Sequence, residues 1–186
     1  MERRKFILTS AIAAVATLPI TALAKATKEI ATERSKGFIV KSKESRFEEK
    51  TIMGSSPNDI KVSTKDTNGD LTIFEYTGND KGGPPLHVHY KQDEIFYILE
   101  GDYIFQLGDE KVNAKSGDTI FIPRKTPHTF AQISDKGKMF YLFQPSGRME
   151  ELFRKTNDAK NPLTQEEMGK LAIECDSKAL GPPLEF

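Results

Sequence analysis

Short apolar segments separated by turn residues are the feature that most constrains the fold of this chain. From Gly37 onward each segment is brief, and pairs such as Asn68-Gly69 and Ser116-Gly117 stand between neighbouring segments. Regular short strands with such punctuation predict an all-β sandwich or barrel. The segments predicted as strands are Phe38–Lys41, Phe47–Met53, Asp59–Ser63, Leu71–Tyr76, Leu86–Tyr90, Glu94–Leu99, Tyr103–Leu107, Lys111–Ala114, Thr119–Ile122, Thr129–Ile133 and Lys138–Phe143.

The pattern changes to helical spacing after Pro145. One helix is predicted over Met149–Lys155, and a second follows Thr164, because Thr164 and Glu167 match a capping box. The apolar residues of the second helix recur at helical spacing: Met168, Leu171, Ala172 and Cys175. We expect both helices to pack on the outside of the barrel, and residues 181–183 to be extended. The expected organisation is a β-barrel over residues 37–146 and a C-terminal helical extension over residues 147–186.

Residues 1–24 are predicted to be an export signal outside the fold. A charged start precedes the uncharged apolar stretch Phe6–Ala24, and Ala22-Leu23-Ala24 matches a cleavage site. The stretch from Arg3 to Ile7 resembles the twin-arginine signal. A general secretory signal and a retained membrane anchor are the alternatives. We expect cleavage, no lasting anchor, and a periplasmic or extracellular protein in which residues 25–36 form a linker.

Charge and cysteine content exclude several classes of function. The 27 basic and 27 acidic residues balance, and no basic run stands out in the body of the chain, which argues against a nucleic-acid partner. The single cysteine, Cys175, cannot form an internal disulfide, so an exported chain must rely on its core or on a metal. Cys175 is predicted to be a small hydrophobic residue on a helix.

Two histidines and a glutamate stand close together in the middle of the chain. Residues i and i+2 of a strand point to the same face, so His87 and His89 project together. Glu94 begins the next predicted strand on the same face as Phe96, where a carboxylate is costly unless it is paired or bound to metal.

The third histidine of the chain lies further along. The apolar strand after Gly117 ends at Pro123, a further turn follows, and His128 then begins a strand with Phe130 on its own face. If the two hairpins are neighbours in one barrel, His128 can meet the other three side chains. Ordinary polar roles for the histidines, and a solvated role for Glu94, are the alternatives to a metal site.

The first group of residues resembles a signature motif of the cupin superfamily. His87, His89, Glu94 and Gly101 stand at the spacing of that motif, whereas Gly82 stands one residue too close to the histidines.

A second signature motif of the same superfamily is matched by Gly117, Pro123 and His128. Lys125 stands where glycine is usual, and Gln132 stands where asparagine is usual. These departures fall at turn and lining positions and leave the metal ligands intact.

The resemblance implies a cupin double-stranded β-helix, or jelly-roll, barrel that holds one divalent transition metal. The implied metal ligands are His87, His89, Glu94 and His128. Three imidazoles and one carboxylate leave about two open positions on a six-coordinate ion, unlike a closed structural zinc site. Such a ligand set suits Fe, Mn, Ni, Cu or Zn, and the sequence does not choose among them.

Within the superfamily, the chain is similar to single-domain bacterial members grouped with quercetin dioxygenases. The similar segments include Lys61-Val62-Ser63, Gly83-Pro84-Pro85-Leu86-His87 and Gly181-Pro182-Pro183-Leu184. The similarity implies a quercetin 2,3-dioxygenase-like oxidoreductase acting with O₂ on a small enol, flavonol-like or catechol-like substrate. Glu94 would be both a metal ligand and the catalytic general base. The alternatives are a small-ligand-binding cupin without chemistry, and a non-oxidative metal enzyme such as an isomerase or lyase.

The barrel interior is the expected site for a small-molecule substrate. Phe96, Ile98, Phe105, Phe130 and Gln132 are predicted to line it, or their opposite-face neighbours if the strand register differs by one residue. Aromatic lining suits a flat apolar ligand, although core packing is an alternative role for each phenylalanine. The resemblance also implies a homodimer.

Overall fold

The structure is a computed structural model that describes residues 36–159 and 161–186. The predicted export signal, and all of the predicted linker except Lys36, lie outside the described residues. Within the part of the chain that is described, no helix is long and apolar enough to cross a membrane.

Eleven strands form the body of the described protein. They are β1 Ile52–Met53, β2 Ser56–Val62, β3 Thr72–Gly78, β4 Pro85–His89, β5 Asp93–Glu100, β6 Asp102–Leu107, β7 Glu110–Lys115, β8 Thr119–Ile122, β9 His128–Gln132, β10 Gly137–Gln144 and β11 Ser177–Pro183. The helices are α1 Thr64–Thr67, α2 Met149–Asp158 and α3 Gln165–Glu174.

The strands form two antiparallel sheets, which confirms the predicted all-β fold. One sheet has the order β1-β2-β3-β10-β5-β8, and the other has the order β11-β4-β9-β6-β7. Alternation along β5 shows how one core forms, because Phe96 and Ile98 are buried while Tyr97 is 45% exposed. The ring of Phe96 lies 5.1 Å from that of Phe105 and 5.8 Å from that of Phe130, both on the opposite sheet.

The structure corrects the two predicted N-terminal strands. No strand covers Phe38–Lys41, and within Phe47–Met53 only the two residues of β1 are in a strand. Phe47 has a φ of 58° and interrupts any extended backbone there. The guanidinium of Arg46 lies 4.0 Å from the ring centre of Phe38 and 4.1 Å from that of Phe47. Cation–π contact therefore replaces strand pairing for these two aromatic residues.

The C-terminal helices are present as predicted, and the first of them contributes to the core of the barrel. Met149 of α2 belongs to the buried core, and Phe153 packs edge-on against Phe74 with ring centres 5.1 Å apart. The capping box of α3 is confirmed, since the backbone N–H of Thr164 donates to Glu167 and that of Glu167 donates to the Thr164 hydroxyl. Tertiary packing turns the apolar side of α2 inward.

The last strand, β11, returns to the barrel beyond the helices. It pairs antiparallel with β4, placing Ser177 opposite His89 and Ala179 opposite His87. The sequence predicted only an extended end at residues 181–183, because pairing partners so distant in sequence leave no local pattern. The C-terminal extension thus supplies a strand beside two of the histidines.

A buried carboxylate anchors α2 to the barrel. Glu150 is 2% exposed and accepts hydrogen bonds from the Ser63 hydroxyl at 2.9 Å, the Thr72 hydroxyl at 2.7 Å and the backbone N–H of Thr64. The guanidinium of Arg154 completes the set at 2.6 Å. These partners come from β3, α1 and the turn between β2 and α1, so the start of α2 is fixed to three neighbouring segments.

Candidate metal centre

The sheets bring the three histidines and the glutamate to one point. His87 and His89 stand on β4, and His128 stands directly opposite His87 on the neighbouring strand β9. Glu94 comes from β5 of the other sheet. One possible ligand atom from each residue lies within 4.8 Å of the others. The cluster therefore joins the two sheets and could hold a metal ion.

Backbone carbonyl groups orient two of the three imidazole rings. Nδ1 of His87 lies 2.8 Å from the carbonyl oxygen of Pro85, and Nδ1 of His128 lies 2.8 Å from that of Thr126. When each Nδ1–H donates to its carbonyl, Nε2 becomes the nitrogen available to a metal. The local backbone thus selects the ligand atom of both residues.

His89 provides a test of whether a metal fits. Its ring is buried, Nδ1 has no hydrogen-bond partner among the described residues, and Nε2 has only a long contact of 3.4 Å with a carboxylate oxygen of Glu94. A buried polar atom without a partner costs about 1–3 kcal/mol, and coordination to a metal ion would remove that cost. The ring is held edge-on against Phe143, with centres 5.0 Å apart. A mixed imidazole and carboxylate donor set at this point fits a transition-metal ion.

The charges of the cluster favour the protonation states that metals require. Burial acts to raise the pKa of Glu94, but contacts with Nε2 of His128 at 2.8 Å and of His89 at 3.4 Å outweigh it and hold that pKa below its ordinary value. Burial, reinforced by the neighbouring histidines, lowers the pKa of His87 to about 3. An ionised carboxylate and a neutral imidazole are the forms that bind metal.

Glu94 also raises the pKa of His128 above its ordinary value, although burial of the ring acts in the opposite direction. In the absence of metal, the two side chains therefore form a charge-assisted hydrogen bond in the centre of the cluster.

An ion pair beside the cluster fixes the start of β5. Arg124, in the turn between β8 and β9, donates from its backbone N–H and from Nε to one oxygen of Asp93, and from Nη2 to the other at 2.7 Å. These hydrogen bonds lower the pKa of Asp93 to about 2. Because Asp93 precedes Glu94, the pair holds Glu94 near the strand that carries His128.

The same turn explains the glycine that is usual at position 125. Lys125 has a φ of 70°, in the left-handed region that favours glycine, and its backbone N–H donates to the carbonyl oxygen of His89 at 2.7 Å. The lysine therefore takes a strained conformation in order to keep a hydrogen bond to a residue of the cluster.

The cluster borders a cavity of about 1150 Å³. Phe96 and Phe130, both predicted to line the substrate site, are on its wall. Three aromatic residues that the sequence analysis did not single out also line it: Tyr76, Tyr141 and Phe143. Tyr141 and Phe143 lie on the same face of β10, and that alternation could be read from the sequence. It did not show that this face borders the cavity.

Three of the five residues predicted to line the substrate site do not reach the cavity: Ile98, Phe105 and Gln132. Ile98 is fully buried in the core. Phe105 is fully buried behind Phe96 and Phe130 and is not among the described residues that line the wall. Gln132 is also fully buried, and its amide donates to the carbonyl oxygens of Ser134 at 3.0 Å and Gly78 at 3.4 Å. These buried residues face the inside of the barrel. Alternation along a strand predicts that face, but it does not predict how far along the barrel axis each side chain lies from the cavity.

Comparison with known proteins identifies the domain. Residues 73–144 match the Cupin_2 family, described as a cupin domain. The chain is 26% identical over 127 residues to quercetin 2,3-dioxygenase of Bacillus subtilis, covering 68% of this chain and 37% of that protein. It is 52% identical over 50 residues to an uncharacterized protein of Methanocaldococcus jannaschii, covering 27% of this chain and 40% of that protein. The chain thus spans well under two thirds of the length of these two relatives.

Solved structures share the two-sheet barrel. An RmlC-like cupin from Shewanella frigidimarina gives a TM-score of 0.51 at 18% identity, covering 61% of this chain and 95% of that chain. A predicted oxalate decarboxylase from Thermotoga maritima also gives 0.51 at 18% identity, covering 58% of this chain and 99% of that chain. With the domain match and the shared barrel in agreement, residues 73–144 form a domain of the cupin superfamily.

Proposed function

We propose that the protein is a metal-dependent dioxygenase that acts with O₂ on a small enol or catechol-like substrate able to chelate a metal. The observation that carries the proposal is the position of His87, His89 and Glu94 on the wall of a large cavity lined by aromatic residues, with His128 completing the cluster beside them. The similarity to quercetin 2,3-dioxygenase extends over 68% of the chain and supports the same class of reaction.

The proposed reaction cleaves a carbon–carbon double bond of the substrate. That bond breaks, both atoms of O₂ enter the product as carbonyl oxygens, and the four electrons that O₂ accepts come from the substrate. A bound divalent Fe, Mn, Ni, Cu or Zn ion would supply a Lewis-acidic centre with open positions for the substrate's oxygen atoms and O₂.

Glu94 is the proposed general base. Its carboxylate is buried, faces the cavity and is ionised, so it can accept the proton of the substrate's hydroxyl group and leave the enolate that reacts. His87 stays neutral and cannot compete as a proton donor. The neighbouring rings of Phe96 and Phe143 keep the reacting region apolar, which strengthens each electrostatic contact within it.

Metal analysis is the experiment that tests this function. We expect the purified protein to hold about one Fe, Mn, Ni or Cu ion per chain, and the His128→Ala and Glu94→Gln variants to lose most of it. The matched control is Gln132→Asn, which changes a buried polar residue of the same strand that does not reach the cavity. O₂ consumption with quercetin and with catechol is then compared among these proteins.

The outcomes of that experiment separate the alternatives. Turnover that consumes O₂ only in metal-loaded wild-type protein supports the dioxygenase. Bound zinc with turnover in the absence of O₂ would favour a non-oxidative metal enzyme. A protein that binds no metal in either the wild type or the variants would rule out the proposed chemistry.

We also propose that the mature protein acts outside the cytoplasm and as a homodimer. The twin-arginine resemblance of residues 3–7 supports export of the folded protein. Loading the metal before export would avoid the affinity order that favours copper and zinc. Replacing Arg3 and Arg4 by lysine should retain the protein in the cytoplasm on cell fractionation, and unchanged export would contradict the twin-arginine route. Sedimentation velocity tests the dimer.

A further inference from the structure

Helix α3 forms a part of the cavity wall made of apolar and small residues, unlike the polar histidine cluster. Gln165, Met168, Gly169 and Ala172 line the cavity at helical spacing. Leu171, on the adjoining face, is buried and attaches the helix to the rest of the protein. One face of α3 therefore serves the cavity, and the next face serves packing.

Gly169 is an unexpected residue for the interior of this helix. Glycine in a helix interior costs about 0.5–1 kcal/mol relative to alanine. A methyl group placed at Gly169 would meet no heavy atom within 4 Å, and the backbone there is not left-handed. Neither a close contact nor the backbone conformation requires glycine at this position. The space in front of Gly169 belongs to the cavity and is therefore available to a bound molecule.

The cavity wall near α3 offers few free polar groups. Met149, Leu152 and Phe153 of α2 face it together with Met168 of α3. The hydroxyl of Thr156, also on this wall, already donates to the carbonyl oxygen of Leu152 at 2.8 Å. Methionine and phenylalanine side chains adapt to flat apolar surfaces. This end of the cavity therefore suits a hydrocarbon or aromatic group.

We propose that the α3 wall binds the apolar body of an amphiphilic substrate whose chelating oxygen atoms face Glu94, and that Gly169 and Ala172 set the largest body admitted. The identity of the chelating end rests on the proposed function, whereas apolar binding at α3 does not. The cavity of about 1150 Å³ is at the upper limit of typical ligand sites, about 1,000 Å³. A molecule as small as catechol leaves most of it unfilled, so the cavity has room for a substrate with a larger apolar body.

Filling the space in front of Gly169 tests the proposal. The probe is anilinonaphthalene sulfonate, an anionic molecule with a three-ring apolar body whose fluorescence rises on burial. We expect the wild type to bind it, and Gly169→Phe to bind it at least about tenfold more weakly, because the new ring occupies the same space. The control Ile173→Phe adds a ring to a residue that is 63% exposed on the same helix, and its affinity should stay within about twofold of wild type.

A second variant guards against misfolding, since partly unfolded protein also binds the dye. Gly169→Leu adds a smaller group with a better helix propensity and should weaken binding by an intermediate factor. Equal dye affinity in the wild type and both Gly169 variants would overturn the proposal, and so would a wild type that binds no dye.

Two further measurements separate this proposal from the proposed function. His128→Ala should lose its metal and keep its dye affinity, whereas Gly169→Phe should lose dye affinity and keep its metal. In the metal-loaded enzyme, Gly169→Phe should raise KM for quercetin and leave KM for catechol unchanged. An equal rise for both substrates would exclude Gly169 as a determinant of substrate size.

Discussion

The histidine end and the helical end of the cavity are held in place by different kinds of contact. At the histidine end, strand register places His87 opposite His128, and backbone carbonyls orient both rings. At the helical end, α2 is anchored by the buried Glu150, and α3 presents apolar and small residues with open space before Gly169. Directional hydrogen bonds thus hold the reactive groups at the histidine end. Side-chain size at the helical end sets the volume available to a ligand.

This difference has a consequence for substitutions. A change at the histidine end alters directional contacts within a cluster of four residues, so it should abolish metal binding without unfolding the barrel. A change at the helical end alters stability or the volume available to a ligand and should leave metal content intact. The predictions that follow address one end at a time.

Removing the anchor of α2 should have the largest effect on stability. Glu150→Ala leaves the Ser63 hydroxyl and the backbone N–H of Thr64 without their acceptor and removes one of the two carboxylates bonded to Arg154. We therefore expect the free energy of unfolding to fall by about 3 kcal/mol. Urea unfolding of the two proteins measures the change. The control Glu151→Ala removes an exposed carboxylate of the same helix and should cost far less. Loss of metal from folded Glu150→Ala would contradict the independence of the two ends.

The same carboxylate predicts a pH dependence of stability. Burial acts to raise the pKa of Glu150, but hydrogen bonds from Thr64, Thr72, Ser63 and Arg154 outweigh it and lower that pKa below its ordinary value of 4.5. A group with a lowered folded pKa contributes stability above its unfolded pKa and loses that contribution as the pH falls.

We therefore expect the stability of the wild type to decrease more steeply than that of Glu150→Gln as the pH falls below the ordinary pKa of 4.5. Urea unfolding at a series of pH values measures both slopes. Identical slopes would show that this carboxylate is not hydrogen-bonded as described.

Relieving backbone strain at the histidine end should have a smaller, stabilising effect. Lys125→Gly allows the left-handed conformation at no steric cost, and we expect about 1 kcal/mol of added stability, partly offset by the flexibility of glycine when unfolded. Lys136→Gly is the matched control, because that turn lysine does not have a positive φ and should gain nothing. Thermal unfolding distinguishes the two. A destabilised Lys125→Gly would show that the lysine side chain makes a compensating contact.

The smallest expected effect is at the helical end. Gly169→Ala should stabilise the protein by about 0.5 kcal/mol, because it improves helix propensity and meets no neighbouring atom. Thermal unfolding measures the gain, and dye binding should change by less than about twofold since a methyl group fills little of the space. Destabilisation would mean that the space at Gly169 is smaller than the structure shows.

Local patterns in the sequence predicted the barrel, and the resemblance to the cupin motifs implied that its four polar residues meet. The two-residue period placed His87 and His89 on one face, and turn residues marked where most strands end, so the spacing carried the information. It failed near Phe38 and Phe47, where aromatic residues resemble strand residues but pack against Arg46. The alternation pattern of a segment cannot show that its aromatic residues pack against an arginine and do not pair in a sheet.

The lining of the cavity was predicted only in part. Phe96 and Phe130 reach it, but Ile98, Phe105 and Gln132, at the same alternation, are buried beyond it. Alternation gives the face on which a side chain lies and says nothing of its depth along the barrel. The sequence analysis did not predict that α3 lines the cavity. Helical periodicity identifies an apolar face, but it does not show whether that face contacts the core or a cavity.

The sequence by itself determined which side chains can act together: strand period and turn spacing fix the direction of each side chain, and direction is a local property. Only the tertiary structure decided the shape of the space around them. The return of β11 beside β4, the burial of Glu150 and the position of Gly169 at the cavity wall all depend on contacts between segments far apart in the chain. Such contacts form because burying an apolar face and satisfying buried polar groups lower the free energy of the whole fold, which no single segment encodes.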